Sequence, residues 1–289
     1  MNSTRAKYDY TKIHNFNKID PYWLLGLIEG EGTFGFRNLV PYFQLGLHSQ
    51  NLPLLESISS YFTSLPNGFG FTLNSPAPKV SITLNKRTNV TVIAIANIDA
   101  LYDYLAMFLL DMPFQSRKSV DFYYWCLALH FHKIGHFYTP NGRALVLSIA
   151  NFVNKARYST ASVSILAPSL ESIKQVLSTE LAVTITPELS HLQLSQKFAR
   201  LVKNRTIWVY DNGLLIKGSP FYIQTTAAEA VGLPKNTSVI KRYIDTGKGY
   251  ANRYTFLFNS RLRTISIRQA RLPLLYPSVP VRTVWSDKT

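Results

Sequence analysis

A single cysteine, Cys126, stands among the 289 residues. It excludes an intrachain disulfide framework and any zinc site built on clustered thiolates. Lying between Trp125 and Leu127, it is expected to act as a small buried hydrophobe. Long apolar runs are also missing. The longest, Tyr104 to Leu110, is closed by Asp103 and Asp111, far short of the ~20 residues of a spanning helix. The opening MNSTRAKYDYTKIHNF lacks the apolar region of a secretory signal. A soluble, non-secreted chain with no membrane partner is therefore expected. Acidic side chains are scarce, with 16 Asp+Glu against 31 Lys+Arg and a formal net charge of +15. Such an excess points to a polyanionic partner, nucleic acid first. What is plentiful is aromatic: 17 Tyr and 17 Phe, within a hydrophobic share of 46%, exclude a disordered basic tail.

The charge is uneven. Residues 1–160 hold 14 basic and 9 acidic side chains, whereas residues 161–289 hold 17 and 7. A Ser/Thr/Ala-rich stretch from Ser159 to Pro168 reads as a loop, so the expected organisation is a domain at 1–160, a linker with a short helix at 161–205, a compact module at 206–260 and a basic tail at 261–289. In the first domain, Asp20-Pro21 starts a helix by N-cap and N1 preference, with Gly32 as its stop. Strands are expected at Thr33–Arg37, Tyr42–Gln50, Lys79–Leu84 and Val90–Ala96. Helices are expected at Leu54–Phe62, Ile98–Leu110, Ser119–Phe131 and Arg143–Ala156, an α+β order. In the second half, a helix is expected at Ser169–Leu177, and Asn212-Gly213 marks a tight hairpin. Short helices at Ala227–Val231 and Val239–Asp245 read as a helix-turn-helix pair.

The segment Leu24-Leu25-Gly26-Leu27-Ile28-Glu29-Gly30-Glu31-Gly32 conflicts with an ordinary helix. Gly26 and Gly30 share one face, and interior glycines cost roughly 1 kcal/mol each relative to Ala, a cost that close approach of a second helix would offset. Glu29 and Glu31 sit where the macrodipole is already negative; a divalent cation would relieve the repulsion. Taken alone, the segment reads equally as a core helix ending in a solvated acidic turn.

LLGLIEGEG resembles the signature of the LAGLIDADG homing endonucleases, with Glu in place of both Asp, Trp23 before it and Thr33-Phe34 after it. The likeness extends over about 20–158 and includes the 43–50 strand, Lys118, Asp121, Phe122, Trp125, Asn154 and Arg157. It implies an αββαββα half-saddle sheet with helices on one face, and metal-dependent hydrolysis of DNA phosphodiester bonds. The resemblance makes Glu31 the metal-binding acid and the Gly30 carbonyl a second ligand for Mg2+, for which Mn2+ can substitute. It makes Gln50 the organiser of active-site water and Lys118 the cation near the phosphate, with Arg117 as the alternative in a loose register. Glu29, with Gly26 and Gly30, falls to the helix interface, Glu29 as the acid that caps the partner helix. Residues 160–289 hold no second Gly-acid-Gly helix end, which favours a homodimer through helix 21–31 over replacement of the second half by the C-terminal region.

For reading double-stranded DNA, Tyr42, Gln44 and His48 lie opposite Phe43, Leu45 and Leu47 on a period of two, a polar sheet face suited to the major groove. Arg37, Lys86 and Arg87 are further contact candidates. Residues 206–258 resemble the modular DNA-binding repeats that accompany intron-encoded nucleases, with Lys235, Thr237, Lys241, Arg242, Lys248 and Arg253 facing phosphates, and Arg261, Arg263, Arg268 and Arg271 adding charge in the tail. His130, His132 and His136 are not spaced as a metal set and read as surface or DNA-facing. The function implied is a site-specific homing endonuclease encoded by a group I intron, in a mitochondrion or, second, a chloroplast. An intron-RNA maturase and a catalytically decayed DNA-binding protein are the other roles the same scaffold serves.

Overall fold

The structure, a computed structural model, describes residues 19–68, 77–154, 166–186, 188–201 and 206–258. The tail at 261–289, Arg157 and the proposed boundary at 160 lie outside them.

Asp20 caps α1 (Pro21–Glu31): its Oδ1 accepts from the amides of Tyr22 and Trp23 at 2.9 Å each. Two of the helix's orphan donors are thereby satisfied, while Pro21 removes another at N1. The chain then turns straight into β1 (Gly32–Arg37). Gly32 has φ −70° and ψ 150°, so it ends the helix in extended backbone. Glycine is required there by contact: a Cβ would stand 2.6 Å from the Ile28 carbonyl oxygen.

β1, β2 (Val40–His48), β3 (Ser81–Asn85) and β4 (Val90–Ile95) form an antiparallel sheet in the order β1-β2-β4-β3. Between the hairpins run a 3-10 turn at Ser49–Asn51 and α2 (Leu52–Thr63). After the sheet, the segments Ile98–Ala100, Leu101–Ala106 and Met107–Leu110 continue end to end as one helix, α3, with a π-helical middle. Phe34, Phe43, Leu45, Ile93 and Ile95 turn one sheet face inward, onto Leu24, Ile28, Ile58, Phe62, Leu105 and Trp125. This is the αββαββα half-saddle expected from the sequence. It differs in detail, since β2 ends at His48 and leaves Gln50 in the 3-10 turn.

α4 (Lys118–Lys133) and α5 (Pro140–Phe152) build a second cluster around Ala128, Phe131, Val146 and Ile149. Into it reaches Leu39, 1% exposed, from the β1–β2 turn. Asn38 and Leu39 both have positive φ, 51° and 69°, and the His132 ring bonds the Leu39 carbonyl at 3.0 Å. A carbonyl only accepts, so His132 Nε2 carries the proton. Burial pushes this imidazole down to about 3, and it is neutral at pH 7.

The region whose composition reads as a linker is structured where described. α6 (Leu170–Leu177) adds Ile173 and Val176 to the second cluster. A helix not anticipated, α7 (His191–Leu201), stacks Phe198 on Tyr138 at 4.6 Å. Its first amide donates to both Asp99 carboxylate oxygens. Asp99 and Asp103 also share Lys133, at 2.5 and 3.1 Å.

The C-terminal module pairs β6 (Leu214–Leu215), β5 (Ile207–Asp211) and β7 (Tyr254–Phe258) in that order. Its hairpin turns on Asn212 and Gly213 at φ 47° and 84°, the both-positive pair that matches strand twist. α8 (Gln224–Glu229) and α9 (Val239–Tyr243) cover it through Ala227, Ala228 and Ile240. The module docks on α5. Arg143 donates to the carbonyls of Lys241 at 2.6 Å and Ile244 at 3.0 Å, capping α9, and Lys248 bonds the Ser148 hydroxyl. Burial lowers the Arg143 pKa and Asp245 offsets part of that; a guanidinium stays charged regardless. Arg143→Met should separate thermal unfolding into two transitions and expose residues 206–258 to limited proteolysis.

Candidate nuclease site at the end of the first helix

The polar stripe Lys118, Asp121, Trp125 on α4 grips the α1–β1–β2 unit from beneath. Lys118 is 4% exposed, and its Nζ donates to the Ile28 carbonyl at 2.8 Å and the Gly32 carbonyl at 2.5 Å. It closes the C-terminal end of α1, where the negative end of the macrodipole calls for a cation, and adds to the bond that the Ile28 carbonyl accepts from the Gly32 amide. The amide of Asn154 donates to Asp121 at 3.2 Å, and its side chain donates to the Phe34 carbonyl at 2.5 Å. Trp125 Nε1 donates to the Tyr42 carbonyl at 3.2 Å. The end of α1 is thus held rigidly over α4.

What that end presents is uneven. Glu29 turns back onto its own chain: Oε1 accepts the amides of Gln115 at 2.9 Å and Ser116 at 2.6 Å, tying down the approach to α4. The resemblance implied that it caps a partner helix, whereas here its carboxylate is engaged within the chain because the 115–116 amides precede the α4 N-terminus. Glu31 is exposed and has no hydrogen-bond or ion-pair partner among the described residues. Gly26 and Gly30 are exposed on the same helix, and a Cβ at either would meet nothing within 4 Å. Tyr22 (66% exposed) and Trp23 (45%) flank them.

The hairpin register sets Gly32 opposite Leu45, so β2 continues past the start of β1. Gln50 follows in the 3-10 turn with its side chain exposed and its amide directed at His48 Nδ1, 3.4 Å away. Lys118 differs from its expected setting: its ammonium is buried against two carbonyls instead of open to a phosphate, because the α1 terminus takes it up. Arg117, at the N-cap of α4, is the exposed cation of the pair. Among the described residues no cluster of three or more His, Cys, Asp or Glu is arranged to hold a metal. One chain offers a hard cation one carboxylate, Glu31, and the Gly30 carbonyl. That oxygen-only set suits an ion that keeps several waters.

The outer sheet face carries Thr33, Gly35 and Arg37 of β1 opposite Gln44, Tyr42 and Val40 of β2. Further along β2 and β4 stand His48, Val90 and Val92, and β3 adds Ser81, Thr83 and Asn85. None of the four strands contains an acidic residue. Gly35 is needed for contact: a Cβ there would stand 2.5 Å from the Tyr42 ring, over which Arg37 lies at 5.7 Å. Gln44 is half-exposed. His48 is engaged at its other ring nitrogen by Asn89, 3.1 Å away, and supports the hairpin end as well as the face. Lys86 and Arg87 occupy the exposed β3–β4 turn.

In the C-terminal module, Lys241 is exposed and Arg242 half-exposed. The Thr237 hydroxyl accepts the Val239 amide at 3.2 Å. Lys235 pairs with Glu229 at 2.9 Å while staying 76% exposed, a pair of little energetic weight. Arg253 is different. It forks onto both Asp211 oxygens at 2.7 and 2.6 Å and stacks on Tyr254 at 4.8 Å, so it staples the hairpin instead of standing free for a phosphate. The histidine reading also needs correction: His132 (1% exposed) and His136 (7%) are buried, and His130 bonds Tyr102 at 2.8 Å. Their flanking aromatics put them in the core. Cys126 is half-buried against the first cluster, and burial raises its thiol pKa. Arg143, His132 and the Lys133–Asp99–Asp103 group escaped sequence reasoning, since each acts on residues tens of positions away.

Residues 24–129 match the family model described as LAGLIDADG endonuclease. The chain is 25% identical over 256 residues to "Uncharacterized mitochondrial protein RF1" of Saccharomyces cerevisiae, a match that takes in 83% of this chain and 52% of that protein. It therefore spans about half the length of that curated relative. Among solved structures, it is similar to the homing endonuclease I-TnaI at 20% identity and TM-score 0.39, covering 55% of this chain and 97% of that one. It is also similar to the LAGLIDADG homing endonuclease I-GzeII in complex with its DNA target, at 19% identity and TM-score 0.42, covering 50% and 47%. Among the described residues, no helix is long and apolar enough to cross a membrane.

Lys118→Met should lower unfolding stability by roughly 1–3 kcal/mol, the cost of removing a buried charged donor from the Ile28 and Gly32 carbonyls. Lys86→Ala, in the exposed β3–β4 turn, should leave it nearly unchanged; chemical denaturation of both variants checks the difference.

Proposed function

We propose that this protein is a site-specific double-stranded DNA homing endonuclease, encoded by a group I intron in a mitochondrion, that cuts as a homodimer. The observation that carries the reading is Glu31: an exposed carboxylate without a partner among the described residues, at the end of a helix whose glycine face is open. Glu31 and the Gly30 carbonyl would hold magnesium, or manganese as a substitute, which when bound would polarise the phosphate and activate a water. Gln50 orients that water. Lys118 holds the α1 terminus at fixed height and adds positive potential beneath the scissile phosphate. Tyr42, Gln44 and His48 face base edges from the outer sheet, while Lys235, Lys241 and Arg242 neutralise backbone phosphates.

The homodimer reading rests on α1. Tyr22, Trp23, Gly26 and Gly30 form an exposed face, and the glycines leave room for a second backbone. One carboxylate per chain serves one strand, so a second copy would complete a double-strand cut.

Glu31→Gln should abolish magnesium-dependent cleavage of the intronless junction while leaving duplex binding intact; full cleavage by the variant would sink the assignment. Gly26→Leu should leave the monomer as stable or up to about 1 kcal/mol more stable, because glycine is a poor helix former and the site is open. Dimer formation in analytical ultracentrifugation and cleavage should both be lost.

A further inference from the structure

A cleft of about 410 Å3 lies where the outer face of the sheet meets the C-terminal module, bounded by Thr33, Arg37, Asn38 and Tyr42 on one side and Ser238 and Arg242 on the other. Its volume falls within the roughly 300–1,000 Å3 of ligand clefts. Among the described residues, the only charged ones in its walls are Arg37 and Arg242, one from each module. Neither makes an ion pair among the described residues, in contrast to Arg253, which spends its fork on Asp211.

Both walls are fixed. On one side, Leu39 is buried and its carbonyl held by His132, which pins the β1–β2 turn next to Arg37 and Asn38. On the other, Arg143 holds the carbonyls of Lys241 and Ile244, either side of Arg242. Two guanidiniums are thus brought to one opening by elements that have their own anchors. Like charges lining one cleft, with no carboxylate among its described lining residues, favour an anion between them. A guanidinium fork matches phosphate oxygens in particular.

We propose that this cleft is one phosphate-binding seat, shared by the two modules, for a single stretch of one strand of duplex DNA. It rests on the DNA reading above and adds that the modules grip the same backbone segment instead of two separate ones. Binding would then carry a fixed distance between the bases read by the sheet and those beside α9.

The test is binding of a short DNA duplex of arbitrary sequence in EDTA, followed by fluorescence anisotropy over a series of salt concentrations, with Arg37→Gln, Arg242→Gln, the double variant and the two Arg→Lys variants. Each Gln variant should reduce the slope of log affinity against log salt by about 0.9, and each Lys variant should restore it. Because losing either guanidinium frees the strand, the double variant should weaken binding by clearly less than the product of the single losses. Losses that multiply would mean two independent contacts and overturn the shared seat. So would an unchanged slope in either Gln variant. A wild-type protein that binds no duplex at all would instead overturn the DNA reading itself, and circular dichroism melts confirm that each variant is folded.

Discussion

One ammonium group holds the centre of this structure together. The C-terminus of α1 brings two carboxylates and the negative end of the helix dipole into one turn, an arrangement that a helix resists electrostatically. Lys118 answers it from below by donating to Ile28 and Gly32, residues on either side of the acids. Once that contact is made, α4 must lie under α1, and the rest of its stripe falls into place: Asp121 with Asn154, and Trp125 on the Tyr42 carbonyl. The two glutamates then part company. Glu29 is taken up by the Gln115 and Ser116 amides, and Glu31 is left facing outward. Two acids of the same type, two residues apart, receive different work because only one has amides within reach.

The sheet was readable in the sequence because its period of two is regular: Phe43, Leu45 and Leu47 against Tyr42, Gln44 and His48. The start of α1 was readable from Asp20-Pro21, and the C-terminal hairpin from Asn212-Gly213, since each depends on neighbouring residues alone. What escaped was non-local. α7 has a mixed, largely exposed composition and stands where it does through Tyr138 and Asp99, residues about 60 and 90 positions upstream. Lys118 reads as a solvent-facing cation in a sequence, because burial of a lysine is evident only when its acceptors are known. The histidines were misjudged for the same reason: nothing in their spacing reveals that Leu39 and Tyr102 supply their partners. The candidate acids could be picked out through the glycine-spaced signature, but the division of labour between Glu29 and Glu31 could not.

The C-terminal module shows the same logic at a larger scale. Its own core is small, closed by Phe256, Val209 and Ile240, and it is attached to the first domain by polar contacts that Arg143 and Lys248 make with α9 and α5 and by Tyr243, which packs on the second cluster. Charged side chains that cap a neighbour's carbonyls orient that neighbour more tightly than apolar contact does, because hydrogen bonds are directional. The positive charge of this chain is therefore used in two ways. Some cations build the fold, as with Lys118, Lys133, Arg143, Lys248 and Arg253, and others among the described residues, such as Arg37, Lys86, Arg87 and Lys241, remain at the surface.

The pleat of the four-stranded sheet separates two kinds of change. Residues that alternate along β1 and β2 look either into the core or out to solvent, and the outward set, Thr33, Arg37, Tyr42 and Gln44, shares almost no packing with the inward set. Tyr42 is the exception, since its ring fills the space above Gly35. Substitutions at Thr33, Gln44 or Thr83 can accumulate without disturbing Phe34, Phe43 or Ile93. A lineage carrying this chain can drift toward new surfaces to recognise while its folding stability stays where it was, provided that the Gly35–Tyr42 pair changes together or not at all.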